Sequence, residues 1–186
     1  GLRLGSLLLL ESGARLNKDS IVDDCPRFKW RKGAAVNCPY PGTPFGEGGV
    51  LHAIGTDHGT KAWSNPHTDG KVVAAMSTAP SCDGCHPKKF VGRSNDGSNY
   101  TNSRTGSWMS VDLGEGRSVI PTHYCLRHDG NRRNVLRNWT LEGKTGDAGA
   151  DWVQIRKHDN DEALAAESYS VGSWPIDGEA RAAFRH

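Results

Sequence analysis

The sequence predicts an all-β fold, and three observations carry that expectation. Apolar and polar residues alternate with period two in several short runs, the pattern of half-buried strands. The 23 glycines and 9 prolines among 186 residues suit many short strands joined by turns. Beyond residue 49, only Glu162–Glu167 (EALAAE) reads as helix, and for no more than a turn or two.

The elements follow in order. Residues 1–17 read as one helix, ended by Gly13 or Asn17, with four consecutive leucines at 7–10 that a lone helix could not hide on one stripe. The apolar run 4–10 is far shorter than the ~20 residues that span a bilayer. Arg3 before it and Ser12-Gly13-Ala14 after it outline a secretory leader. Glu11 interrupts that outline, and a leucine-rich helix docking on a partner is the favoured reading. Residues 18–48 read as a linker or wrapping arm, with Cys25-Pro26, Cys38-Pro39, Pro41-Gly42 and Gly46-Glu47-Gly48-Gly49. Within it, Phe28-Lys29-Trp30-Arg31-Lys32 alternates apolar and basic side chains. It reads as an edge strand or as a basic-aromatic contact for an acidic partner. The chain thus divides into an N-terminal arm, 1–48, and a β-module, 49–186.

Strands are expected near 50–54, 71–77, 108–113, 118–127, 136–143, 151–157 and 180–185, with long connections at 78–107 and 158–178. Met109, Val111 and Leu113 alternate with Ser110 and Asp112 before Gly114-Glu115-Gly116 breaks the run. Ile120, Tyr124 and Leu126 share a face of the next strand, and Trp139 and Leu141 share one of the strand after it. Val111, Leu113, Tyr124, Leu126, Leu141, Val153 and Ile155 are the expected core.

Ser-Val-Asp-Leu-Gly (110–114), Ile-Pro-Thr-His-Tyr-Cys-Leu-Arg-His (120–128) and Leu-Arg-Asn-Trp-Thr-Leu-Glu-Gly (136–143) resemble discoidin-like (F5/8 type C-like) modules of large intracellular proteins. HECT-type ubiquitin ligases and BTB-containing proteins are among those. Gly49-Val50-Leu51-His52, Trp63-Ser64-Asn65-Pro66, Gly70-Lys71-Val72, Asp151-Trp152, His158-Asp159-Asn160-Asp161 and Ser173-Trp174-Pro175-Ile176 extend the similarity over 49–186. It implies a galactose-binding-like jelly roll, an eight-stranded antiparallel β-sandwich that binds through loops at one end. It also implies a strand pair after Phe184-Arg185-His186, or another segment in its place, to close the sandwich.

A formal charge of +2 gives no global drive toward nucleic acid or membranes. Five irregularly spaced cysteines (25, 38, 82, 85 and 125) argue against a full disulfide framework. Cys82-Asp83-Gly84-Cys85-His86 matches the C-x-x-C-H attachment string of c-type haem. It sits in a loop with no helical pocket. As a zinc site it would need a fourth ligand from His58, His67 or Cys38. The expectation is no cofactor and a disulfide or two thiols. Adjacent side chains of a strand point to opposite faces, so His128 and Asp129 are not assumed to be a base and its orienter. The G-x-S-x-G, H-E-x-x-H and P-loop patterns are missing, so the expectation is a non-catalytic chain. Asn99 and Asn138 sit in glycosylation sequons but receive no role.

Two clusters remain as binding candidates. Arg127, His128, Arg132, Arg133 and Arg137 flank one strand-to-strand loop, and arginine's fork of donors suits carboxylates and phosphates. The resemblance covers Arg127 and Arg137, which also suit structural ion pairs; Arg132 and Arg133 are particular to this chain. Trp63, Asn65 and His67 form an aromatic-polar loop, with Trp63 alternatively capping the core and Asn65-Pro66 making a turn. The sequence therefore points to a protein-recognition or scaffolding module in a larger intracellular, cytoplasmic assembly. Its expected partner is a protein, with an acidic peptide surface as the candidate contact and neither nucleic acid nor a membrane span. A lectin-like carbohydrate module is the alternative, and a metal or haem protein the third.

Overall fold

The structure is a computed structural model. It describes residues 8–10, 14–15, 37–38, 40, 42, 47–79, 84–95, 99–178 and 182–186. Those residues form mostly strands. In chain order the elements are β1 (Leu8–Leu10), β2 (Ala14–Arg15), β3 (Asn37–Cys38), α1 (Val50–Gly55), β4 (Val73–Met76), a 3-10 helix (Pro87–Val91), β5 (Met109–Asp112), β6 (Ile120–Pro121), β7 (His123–Arg127), β8 (Trp139–Gly143), β9 (Val153–His158) and β10 (Val171–Pro175). Four small sheets result among the described residues, ordered β1-β7-β10, β3-β2-β6, β4-β5 and β8-β9. None closes into a barrel.

The expected N-terminal helix is overturned where the arm is described. Leu8–Leu10 runs antiparallel to β7, with Leu8 opposite Arg127 and Leu10 opposite Cys125. Ala14–Arg15 lies between β3 and β6. A three-residue segment is too short to satisfy its backbone as a helix, whereas the β7 edge pairs it along its length, and this outweighs leucine's helix propensity. Phe28–Lys32 lies outside the described residues.

Residues 50–54, expected as a strand, belong to a helix instead. Val50, Leu51 and Ile54 are buried, and their i, i+1, i+4 spacing is a helical stripe rather than an alternation. Three consecutive left-handed residues, Asp57, His58 and Gly59, then reverse the chain. Trp63 and Ser64 come back against Gly55, where an added Cβ would lie 2.7 Å from the indole Nε1. Only glycine fits that approach.

The two long connections also differ from expectation. The first holds the 3-10 helix, and the second holds β10, which pairs along the whole of β7. Residues 162–167 form no helix. Near the C-terminus, a single bridge, Val119 with Phe184, stands where a strand was expected.

Two cores form. One gathers Val50, Leu51, Ile54, Val72, Ala74, Phe90, Val91, Val111 and Leu113 beneath α1, β4, β5 and the 3-10 helix. The other gathers Tyr124, Leu126, Leu136, Leu164, Trp174 and Ile176. β7 is buried on both faces, with Cys125 fully enclosed on the side opposite Tyr124 and Leu126. Of the expected core, Val111, Leu113, Tyr124 and Leu126 are buried, while Leu141 and Ile155 are half-buried. Val153 is 53% exposed and is a correction. β9 pairs only with β8 among the described residues, so its first residues face solvent.

Residues 184–186 stitch separate sheets together. Phe184 exchanges both backbone hydrogen bonds with Val119, and Arg185 N–H and His186 N–H donate to Lys144 O. The Arg185 carbonyl meanwhile accepts from Leu113 N–H at 3.0 Å.

Candidate functional site

The 63–67 loop is rigid by construction. Asn65 Oδ1 accepts from the N–H groups of His67 (3.0 Å) and Thr68 (3.3 Å), closing the turn that Asn65-Pro66 predicts. Its amide donates across to Lys88 O at 2.9 Å. His67 Nδ1 accepts from Ala74 N–H at 3.0 Å, tying the loop to β4. Trp63 is half-buried, with its indole against Gly55 of α1.

The 3-10 segment is the neighbour of this loop. His86 Nδ1 accepts from Lys88 N–H at 3.1 Å, and His86 N–H donates to Asn99 Oδ1. The His67 and His86 rings stand edge to face with centroids 5.8 Å apart. Burial holds His67 below its usual pKa, and the nearby His86 and Lys88 charges lower it further.

The same segment reaches the basic cluster. Arg127 is buried and donates to Ser94 O at 2.8 Å. Tyr169, held at a φ of 60°, donates its hydroxyl to Asn95 O, while its ring packs over Gly130. Ser168 Oγ donates to Gly130 O, and His128 N–H to Ser170 O. Loops 93–95, 128–131 and 168–170 are therefore clamped together. An aromatic residue in the left-handed region is unusual, and such positions persist only when surrounding contacts fix them.

The arginines divide. Arg127 is interior, and half-buried Arg137 donates to Asp161 O and Leu164 O, bracing a loop. His128 is buried, with Nδ1 accepting from Asp129 N–H at 2.8 Å and lying 3.1 Å from Asp129 Oδ1. This corrects the expectation of opposite faces: β7 ends at Arg127, so strand alternation does not govern the pair. Arg132 and Arg133 are exposed at the loop tip. Segment 88–95 thus links the 63–67 loop to the 127–133 loop, since Asn65 grips its start and Arg127 its end. Lys88 and Tyr169 were missed by sequence reasoning. Lys88 follows the C-x-x-C-H string closely enough to have been found; a positive φ at Tyr169 has no sequence signal.

Cys85 is disulfide-bonded, and its partner lies outside the described residues, as does Cys82. Among the described residues, no cluster of three or more His, Cys, Asp or Glu side chains could hold a metal ion. His67 and His86 each use Nδ1 as an acceptor, so the proton sits on Nε2 and each exposes a donor rather than a ligand lone pair.

A second polar group is internal. Tyr124 hydroxyl meets His158 Nε2; His158 Nδ1 lies 2.6 Å from Asp161 Oδ2; and Trp174 Nε1–H donates to the same oxygen at 2.9 Å. An ionised carboxylate only accepts, so His158 carries its proton on Nδ1 and Nε2 accepts from tyrosine. Trp139 stacks flat on the imidazole, with centroids 3.8 Å apart. This group has the residue types of a catalytic relay, yet its central histidine is buried and both ring nitrogens are used.

Two known proteins are similar to this chain. A BTB/POZ domain-containing protein of Arabidopsis thaliana is 31% identical over 133 residues, covering 69% of this chain and 16% of that protein. The E3 ubiquitin-protein ligase Ufd4 of Drosophila melanogaster is 33% identical over 135 residues, covering 72% of this chain and 5% of the ligase. The chain spans a small part of either relative. No family model matches it, and no solved structure does. No helix among the described residues is long and apolar enough to cross a membrane.

Proposed function

We propose that the chain is a non-catalytic recognition module, a galactose-binding-like sandwich of discoidin type, working within a larger intracellular assembly. One observation carries the reading. Segment 88–95 is gripped by Asn65 on one side and by Arg127 and Tyr169 on the other, which supports reading the 63–67 and 127–133 loops as parts of one preorganised surface. Rigid loops of this kind lose little entropy on binding. Its polar residues include Asn65 and His67, and its exposed charges include Lys88, Arg132 and Arg133. The buried Tyr124–His158–Asp161 group supports a structural rather than a reactive role, because a substrate has no access to it. The occurrence of similar segments in a BTB/POZ protein and a ubiquitin ligase supports a module that helps such large proteins hold partners. The proposed partner is a protein with an acidic surface.

The test is the elution of the native protein from cell extract on a sizing column, against an Arg132→Ala, Arg133→Ala double variant. The wild-type chain is expected in a high-mass fraction and the double variant in a lower one. Identical elution would overturn the placement of the interface on this surface. Saturable binding to a glycan panel, lost in the same variant, would replace the reading with the lectin alternative.

A further inference from the structure

We propose that His67, His86 and Lys88 form a carboxylate-recognition site, engaged by an acidic peptide segment of the partner. This rests on the reading above and names the chemistry of one part of that surface.

Backbone geometry sets the chemistry of the two histidines. Each ring turns Nδ1 toward a backbone N–H, of Ala74 and of Lys88 respectively. A nitrogen that accepts such a bond holds a lone pair, so in the neutral ring Nε2 carries the hydrogen. Neither Nε2–H has a hydrogen-bond partner among the described residues, and neither is sealed from solvent without one. His86 and Lys88 are exposed and His67 is half-buried. With ring centroids 5.8 Å apart, the two donors fall within the span of neighbouring acidic side chains.

Among the described residues, the charges acting on His67 have one sign. Both neighbours that act on His67 electrostatically, His86 and Lys88, are basic. Lys88 has no ion pair among the described residues. The nearest acid in sequence, Asp69, is already engaged by Ser64 Oγ and by Lys71. Two fixed N–H donors beside a lysine without a counter-ion are complementary to carboxylate oxygens, and hydrogen bonds to ionised acceptors are the stronger kind. The rigidity already described completes the site: Asn65 locks the turn and binds Lys88 O, so the donors are held in place before any ligand arrives.

The experiment uses the full chain and a capped peptide of alternating Asp and Glu, followed by NMR of the histidine rings and of the Lys88 amide. The expected result is saturable, salt-sensitive shifts at His67, His86 and Lys88. Asparagine is the informative replacement, because its Oδ1 can take over the Nδ1 hydrogen bond while the Nε2 donor disappears. A His67→Asn, His86→Asn double variant should keep the amide spectrum of the folded chain and weaken peptide binding about tenfold or more, which corresponds to about 1.4 kcal/mol. Lys88→Met should weaken binding and flatten its salt dependence. Arg132→Ala, Arg133→Ala should leave these ring shifts in place. That separates this site from the wider surface, which is tested by assembly in extract. Absence of saturable shifts, equal binding of a lysine peptide, or saturation by inorganic phosphate with none by the acidic peptide would each overturn the proposal.

Discussion

Arg185 holds Asp112 with two parallel hydrogen bonds, Nε to Oδ1 at 2.7 Å and Nη2 to Oδ2 at 2.8 Å. The pair joins residues far apart in sequence, and it fixes the segment whose backbone ties Leu113 to Lys144. The Arg185 guanidinium is the main reason that the Asp112 carboxyl lies below its usual pKa, with the Gly114 N–H adding to it.

Because that pKa is depressed in the folded state, the pair's contribution is present above the unfolded carboxyl value of about 4 and is lost as pH falls through the lower folded value. Asp112→Asn is expected to destabilise the chain at neutral pH and to flatten acid unfolding below about pH 4. Denaturant melts across pH check both. A variant with the same acid limb as wild type would show that the pair adds nothing.

Gly172 lies under the Trp174 ring, and a Cβ there would run into the six-membered ring of the indole. Gly172→Ala should cost about 1–3 kcal/mol, the usual range for overpacking. At Gly178 an added Cβ meets nothing, so Gly178→Ala should stay within about 0.5 kcal/mol of wild type. Urea titration of the two variants makes the comparison.

Tyr124→Phe removes the hydroxyl that satisfies His158 Nε2 in the second core. Leaving a buried acceptor unmet should cost about 1–3 kcal/mol. Burial lowers the His158 pKa in spite of Asp161 beside it. The unfolded chain therefore takes up that proton first, and stability should begin to fall below about pH 6.5 and continue down to the folded value. A His158 ring that titrates at or above about 6.5 in the folded chain would refute this.

Arg127 and the loop-tip arginines should behave in opposite ways. Arg127→Ala removes the donor to Ser94 O and unclamps the 93–95 segment, so it should lower the melting temperature. Arg132→Ala with Arg133→Ala should change stability by less than about 0.5 kcal/mol, as exposed positions do. Calorimetry of both variants distinguishes interior from surface roles.

Much of the strand content was legible because period two needs only neighbours in sequence. Val111, Leu113, Tyr124 and Leu126 declare themselves that way. Val50, Leu51 and Ile54 do not, since a short apolar run fits helix and strand alike. β10 escaped because Gly172 and Pro175 in Val171–Pro175 resemble breakers; β7 and the Trp174 packing override them. At the site, the Asn65-Pro66 turn was readable. Arg127 and Arg137 suited ion pairs in the sequence, but among the described residues they donate to backbone carbonyls, which depend on loops distant in sequence. The meeting of His67 with His86 was not readable either, because it depends on how two loops fold over β4.

Deleting residues 1–17 tests the arm directly. Were the arm a helix docked on a partner, the rest of the chain would stay folded without it. With β1 paired to β7, the truncated chain should instead melt earlier and self-associate through the bared strand edge. Light scattering and thermal melts report the two effects.

The β1–β7 pairing also sets a kinetic constraint. On a ribosome, Leu8–Leu10 emerges long before the strand it must meet, and the ladder has to close across all of the chain between Leu10 and Cys125. Contacts so distant in sequence raise contact order and slow folding. In the interval, four adjacent leucines wait without a native partner, in the window where chaperones act on nascent chains. The arm's demand on the cell is thus greatest during synthesis, before the module has a surface to recognise anything.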